Sequence, residues 1–217
     1  NNTAMGINSM ITNTTGGENT ALGAFALQAN TTGSYNTGVG YYALYANTTG
    51  ASNTAVGKNA LDANTTGSNN AAFGEGALSA NTTGIRLAAF GMDALSVSTG
   101  DRNTGLGWQA GLQTTSGTQN TFVGANCASS NTTGDYNTAV GDSSLGTSTT
   151  GSYNTAVGKS ALLANTTASY CTAVGGLAAD ANTTGDRTTA FGYHCLSANT
   201  TGNYNTAVGA EALDANT

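Results

Sequence analysis

The sequence predicts an all-β protein, a parallel β-solenoid of about thirteen coils. Three observations predict it. A relative of the stretch Asn53-Thr54-Ala55-Val56-Gly57 returns every 17 residues, thirteen times in 217 residues, with a single 16-residue step between Gly91 and Gly107. Apolar residues fall in fixed positions of that unit. Proline is absent, which suits a backbone whose donors are used in long inter-coil ladders. A short strict period of this kind marks a stack of units, none of which buries its apolar face alone.

The unit reads N-T-A-V-G-x-x-A-L-x-A-N-T-T-G-S-Y, and its positions are called columns 1 to 17. Column 4 is always apolar, from Met5 and Leu22 through Val56 and Phe90 to Val208. Column 9 is mostly Leu. Columns 6, 7, 10 and 17 vary freely, which reads as exposure, because a buried column tolerates few sizes. Column 5 is Gly in all thirteen copies, so the bend there demands a backbone that other residues avoid. Residues 1–4 of the unit suit a strand, with β-branched Thr and Val. Columns 8–11 read as a second strand, and Asn-Thr-Thr-Gly turns the chain back. The Ala and Leu of columns 8, 9 and 11 also leave one helical turn per coil open. At ~4.8 Å per coil the rod is about 60 Å long.

Alternation then divides the columns between two faces. If Val at column 4 and Leu at column 9 are inside, columns 3 and 8 point out. Both are restricted to small residues, with Phe122 the one large exception. On this reading Ala21, Ala55, Ala72, Ala139, Ala156, Ala173 and Ala207 pack against a neighbouring chain.

The chain forms one repeat domain, residues 1–217, irregular over 97–130. There column 9 becomes Gly111 and then Ala128, while Phe122 and Trp108 appear. Refilling of the core by Phe122 or Leu112 is the expected compensation, since cavities are costly. The sequence starts and stops in mid-pattern and is expected to be an internal segment of a longer fibre.

Charged residues are 7% of the chain, with a net charge of −6. An acidic chain with five basic residues carries no footprint for nucleic acid. No apolar run reaches the ~20 residues of a membrane span. His194 has no metal-ligating companions, and no nucleophile motif or phosphate loop is present. Acidic residues do not converge in adjacent coils. The expectation is therefore no enzyme and no cofactor. Cys127, Cys171 and Cys195 read as small buried apolar groups.

Asparagine is the strongest polar signal. Asn13, Asn30, Asn47, Asn64, Asn81, Asn131, Asn165, Asn182 and Asn199, all column 12, precede Thr-Thr and match the N-glycosylation acceptor pattern. An internal ladder of Asn amides is favoured over glycans as the reason for the repeat. Column 2 is Thr in eleven copies. An outward Thr array on a solenoid can bind ice, but the alternation above turns this one inward. Tyr35, Tyr136, Tyr153, Tyr170 and Tyr204 of column 17 form an aromatic surface able to stack on sugars, extended by Tyr41, Tyr42, Tyr45, Trp108 and Tyr193.

The N-T-A-V-G-x-x-A core resembles the head repeats of trimeric autotransporter adhesins, with their S-V-A-I-G-x-x-A unit. That resemblance implies a left-handed β-roll in a homotrimer, Thr54 and Val56 facing the roll interior and Ala55 the trimer side. The unit here is longer, with the surplus in Asn-Thr-Thr-Gly. Over its full 17 residues it looks more like the arrays of phage-type tail-fibre and bacterial surface proteins. The expected function is a stiff extracellular shaft on a phage tail, virion or cell surface, serving adhesion. The expected partners are further copies of the chain, as a homotrimer or filament, and a cell-surface glycan receptor. The alternative is a solenoid module that binds glycans or ice.

Overall fold

A computed structural model describes residues 1–216. The chain is a parallel β-solenoid containing no helix among those residues. Its strands are β1 Thr3–Met5, β2 Thr20–Leu22, β3 Thr37–Val39, β4 Thr54–Val56, β5 Ala71–Phe73, β6 Ala88–Phe90, β7 Thr104–Leu106, β8 Thr121–Val123, β9 Thr138–Val140, β10 Thr155–Val157, β11 Thr172–Val174, β12 Thr189–Phe191 and β13 Thr206–Val208. They form one sheet in sequence order, each strand in register with the next. The register survives the 16-residue coil: Ala88 pairs with Thr104 and Phe90 with Leu106.

Each coil contributes one strand, not two. Columns 6–11 are turns. In the fourth coil Asn59, Leu61 and Asn69 have φ of 56°, 52° and 62°. A bulky Leu in the left-handed region is unusual and holds only where its surroundings over-determine it. Here the surroundings are neighbouring coils. The amides of Leu61, Ala63 and Thr65 donate to Ala77, Ser79 and Thr82 of the next coil, while those of Gly57 and Asn59 donate back to Val39 and Tyr41. The turns are thus laddered as thoroughly as the strands, which answers the requirement that interior backbone groups be paired.

The facing of the strand is the reverse of the sequence expectation. Column 3 points in. Ala21, Ala55, Ala72, Ala139, Ala156 and Ala173 are fully buried within their own chain, and Ala207 nearly so. They are core residues, unavailable for packing against a second chain. Column 8 alanines are buried as well, together with the column 9 leucines, except in the last coil, where Leu213 is exposed. Columns 2 and 4 point out: Leu106 is 46% exposed and Phe191 53%.

The physical reason is interior width. Besides Ala and Leu, the coil encloses two columns of Asn, numbers 1 and 12. Little room is left opposite Leu. A Cβ added at Gly38 of column 3 would already lie 3.2 Å from Ala43 O and 3.5 Å from Leu27 Cγ. Small residues at column 3 therefore report a narrow core and not a neighbour. Phe122 confirms the limit from the other side. It is fully buried, and its ring occupies the space vacated at column 9, where a Cβ on Gly111 would lie 2.7 Å from it. The expected compensation is made by Phe122; Leu112 stays half-buried.

Candidate functional surface

Two Asn ladders run inside the rod. In column 12 the side-chain amides of five Asn donate to Oδ1 of the Asn one coil back: Asn30 to Asn13 at 2.8 Å, Asn47 to Asn30 at 2.9 Å, Asn64 to Asn47 at 2.7 Å, Asn81 to Asn64 at 3.1 Å and Asn199 to Asn182 at 2.9 Å. The same amide donates to the Gly carbonyl that closes its own turn, as Asn64 does to Gly67 O at 3.0 Å. In column 1 the backbone N–H of Asn53 donates to Asn36 Oδ1 of the preceding coil, and the Asn53 amide donates to Gly67 O, which closes the turn of its own coil.

This is the ladder that the repeat led us to favour. It leaves the acceptor-pattern asparagines poorly placed to carry glycans in the folded rod. Asn30, Asn47, Asn64, Asn81, Asn165, Asn182 and Asn199 are fully buried and Asn131 nearly so. Only Asn13, in the first coil, is half-buried. A glycan on the others would require an interior amide to leave its partners.

Three column 12 positions interrupt the ladder, at Ser98, Thr114 and Ser148. Asn131 Oδ1, Ser148 Oγ and Thr114 Oγ1 lack a partner. Ser148 is too short to reach Asn131. The substitution Ser148→Asn supplies an amide for Asn131 Oδ1 and an acceptor for Asn165. It is expected to stabilise the fold by about 2 kcal/mol, from two hydrogen bonds of ~1 kcal/mol each, and to raise the melting midpoint by roughly 4–8 °C. Thermal unfolding followed by circular dichroism checks this. An unchanged or lowered midpoint would contradict it.

On the outside, columns 2 and 4 form a continuous face along the sheet. Column 2 carries eleven Thr and two Ala; column 4 carries seven Val, three Phe, two Leu and one Met. None is charged. Lys, Arg, Asp and Glu occur only in columns 6, 7, 10, 16 and 17. Phe73 and Phe90 stack on this face, with ring centroids 4.8 Å apart and planes 5° from parallel. The repeat signalled these columns, but the size argument assigned them to the wrong side.

A second ladder lies on column 17. Tyr136, Tyr153 and Tyr170 stack at 4.8 and 5.1 Å. Arg187 continues the column, its guanidinium 5.2 Å from the Tyr170 ring and 5.4 Å from that of Tyr204. Tyrosines of that column were legible as an exposed set. The arginine between them was not singled out, although its column membership is plain. Phe25, Tyr41, Tyr42 and Tyr45 make a separate aromatic cluster on coils two and three. Trp108 and Tyr193 are exposed elsewhere on the turns, and Tyr35 stands apart in column 17.

Titratable groups are dispersed. Asp62 and Asp180 share column 10 but lie seven coils apart. Burial lifts the carboxyls of both above their usual range. Among the described residues no three His, Cys, Asp or Glu lie together. His194 Nδ1 sits 3.2 Å from Ser197 Oγ on its own turn. The three cysteines are buried and unpaired with one another, as expected of small apolar groups. Burial pushes the Cys127 thiol up to about 11, so its reactive thiolate is scarce at neutral pH.

No protein-family model, curated protein or solved structure matches this chain, which leaves its own geometry as the guide to what it does.

Proposed function

We propose that the chain is a structural protein, a stiff segment of an extracellular fibre shaft, carried on a phage tail, a virion or a cell surface and serving adhesion. The observation that supports this reading most is the uninterrupted in-register ladder of thirteen strands. Every coil adds one strand to the same sheet, and most add the same Ala-Leu-Asn layer, so the rod lengthens by repetition without a new fold. At ~4.8 Å per coil it spans about 60 Å. Its polar surface owes more to Thr and Ser than to charge, which makes up 7% of the chain, as befits a rod packed among others. The shaft acts with further copies of itself, and a glycan on the contacted cell is the receptor class that the exposed tyrosines fit.

Immunogold electron microscopy of the native source tests the shaft. Label spread along filaments is the expected result. Label confined to compact soluble particles would overturn it.

A second reading has one specific observation in its favour. The eleven column 2 threonines face outward, so the reason for setting ice binding aside no longer holds. Phe73, Phe90, Phe191 and the Leu and Met of column 4 make that face uneven, which ranks ice second. Freezing-point hysteresis in solution separates the two readings.

A further inference from the structure

We propose that two copies of this rod pair face to face through columns 2 and 4, parallel and in register, about a two-fold axis that runs along the rod. It shares with the shaft reading only the association of copies, and it can be tested apart from it.

The first ground is the size and character of the face. Twelve steps of ~4.8 Å and three residues of ~3.3 Å give about 600 Å² per copy. That is the upper end of what a lone soluble protein leaves bare. Two copies bury about 1,200 Å², the lower edge of a specific interface. All 26 side chains are uncharged, so no ion is desolvated when the faces meet.

The second ground is a volume match on the outer face itself. Column 2 departs from Thr at only two places, Ala71 and Ala88. These are the coils in which column 4 carries the stacked pair Phe73 and Phe90. Nothing in the single chain's core demands this, because both columns point outward. A two-fold along the rod explains it. Rotation about that axis reverses strand direction but keeps each coil opposite its own copy. Column 4 of one chain then meets column 2 of the same coil in the other. Val meets Thr in seven coils, and Phe73 and Phe90 meet Ala71 and Ala88. An antiparallel pair would set column 4 on column 4 of distant coils and give the two alanines no role. Phe191, opposite Thr189 in the penultimate coil, is the one crowded rung.

The third ground is symmetry. A single outward sheet face per chain is self-complementary and closes as a two-fold pair, whereas three chains about an axis need two different contact faces each. The homotrimer expected from the resemblance rested on columns 3 and 8, which are interior.

Analytical ultracentrifugation of the 217-residue chain is expected to give twice the chain mass. The variant Ala71→Phe/Ala88→Phe sets Phe against Phe and should weaken pairing on the order of 100-fold, leaving the β signal in circular dichroism intact. The variant Phe73→Ala/Phe90→Ala sets Ala against Ala and pairs weakly. Mixed in equal amounts, the two are complementary and should form the mixed pair, seen by native mass spectrometry. A wild-type mass of one or three chains would overturn the proposal. So would wild-type pairing by the first variant, or no mixed pair from two folded variants. Should the first variant lose its β signal, Val140→Glu/Val157→Glu carries the test. It must be monomeric, and retained pairing would overturn the proposal. Failure here leaves the filament labelling untouched, and absence of filaments leaves the pair untouched.

Discussion

Replacing Gly57 by Ala is expected to destabilise the chain by about 4 kcal/mol or more, at the far end of what point substitutions do. The residue closes the strand with φ of +139°, a conformation that L side chains rarely adopt. The added Cβ would lie 2.5 Å from Gly74 O and 2.7 Å from Gly74 C in the next coil. Those are backbone atoms, held by the Gly74 amide bonded to Val56 O at 2.9 Å, so they cannot turn aside as a flexible side chain could. The coil must either tilt and lose its ladder or separate from its neighbour. A stack whose stability comes from nearest-neighbour interfaces then divides into two shorter pieces. Urea unfolding should show a lowered midpoint, and hydrogen exchange should show protection lost first around coils four and five. A midpoint within ~1 kcal/mol of the wild type would mean that the bend is looser than its geometry.

Replacing Ala55 by Trp is the second large change. Ala55 is fully buried at column 3, in register with Gly38 one coil back. At Gly38 even a methyl would meet Ala43 O at 3.2 Å and Leu27 Cγ at 3.5 Å. The one large residue that column 3 tolerates, Phe122, is accommodated because column 9 offers Gly111 beside it. Coil four has no such vacancy, since Leu44 and Leu61 are both present and buried. Inserting extra methylenes into a packed core typically costs 1–3 kcal/mol, and an indole exceeds that, so a loss of about 4 kcal/mol is expected. The effect falls on the folding of a single chain, with or without a partner.

Much of the architecture was legible because a repeat averages out accidents. The invariant Gly57 column marked a bend, the Asn64 column marked an interior ladder, and Gly111 with Phe122 marked an exchange of volume. What misled was the size rule applied to a strand of three residues. Alternation correctly grouped Thr54 with Val56 against Ala55, but it does not say which set is inside. Val56 was put inside because apolar bulk is usually buried. The rule fails in a coil whose interior also holds Asn53 and Asn64, leaving room for an alanine but not a valine. Columns 8 and 9 show a different limit. Ala60 and Leu61 are neighbours, yet both are buried. A strand with one face in solvent cannot do that, whereas a turn with Leu61 at φ 52° can. Nothing in the propensity of leucine announces that conformation; the inter-coil hydrogen bonds impose it. The outward face went unseen for the same reason, since it consists of the residues that had been assigned to the core.

The facing of the strand is the claim on which the core, the outer surface and the proposed pair all depend. It is tested most directly by the thermal melt of Ala55→Trp beside that of Val56→Trp, followed by far-ultraviolet circular dichroism at a concentration where the chain is dilute. With column 3 inside and column 4 outside, Ala55→Trp loses its β signal or melts far below the wild type, and Val56→Trp melts close to it. The opposite order, with Val56→Trp unfolding and Ala55→Trp folding normally, would contradict the account.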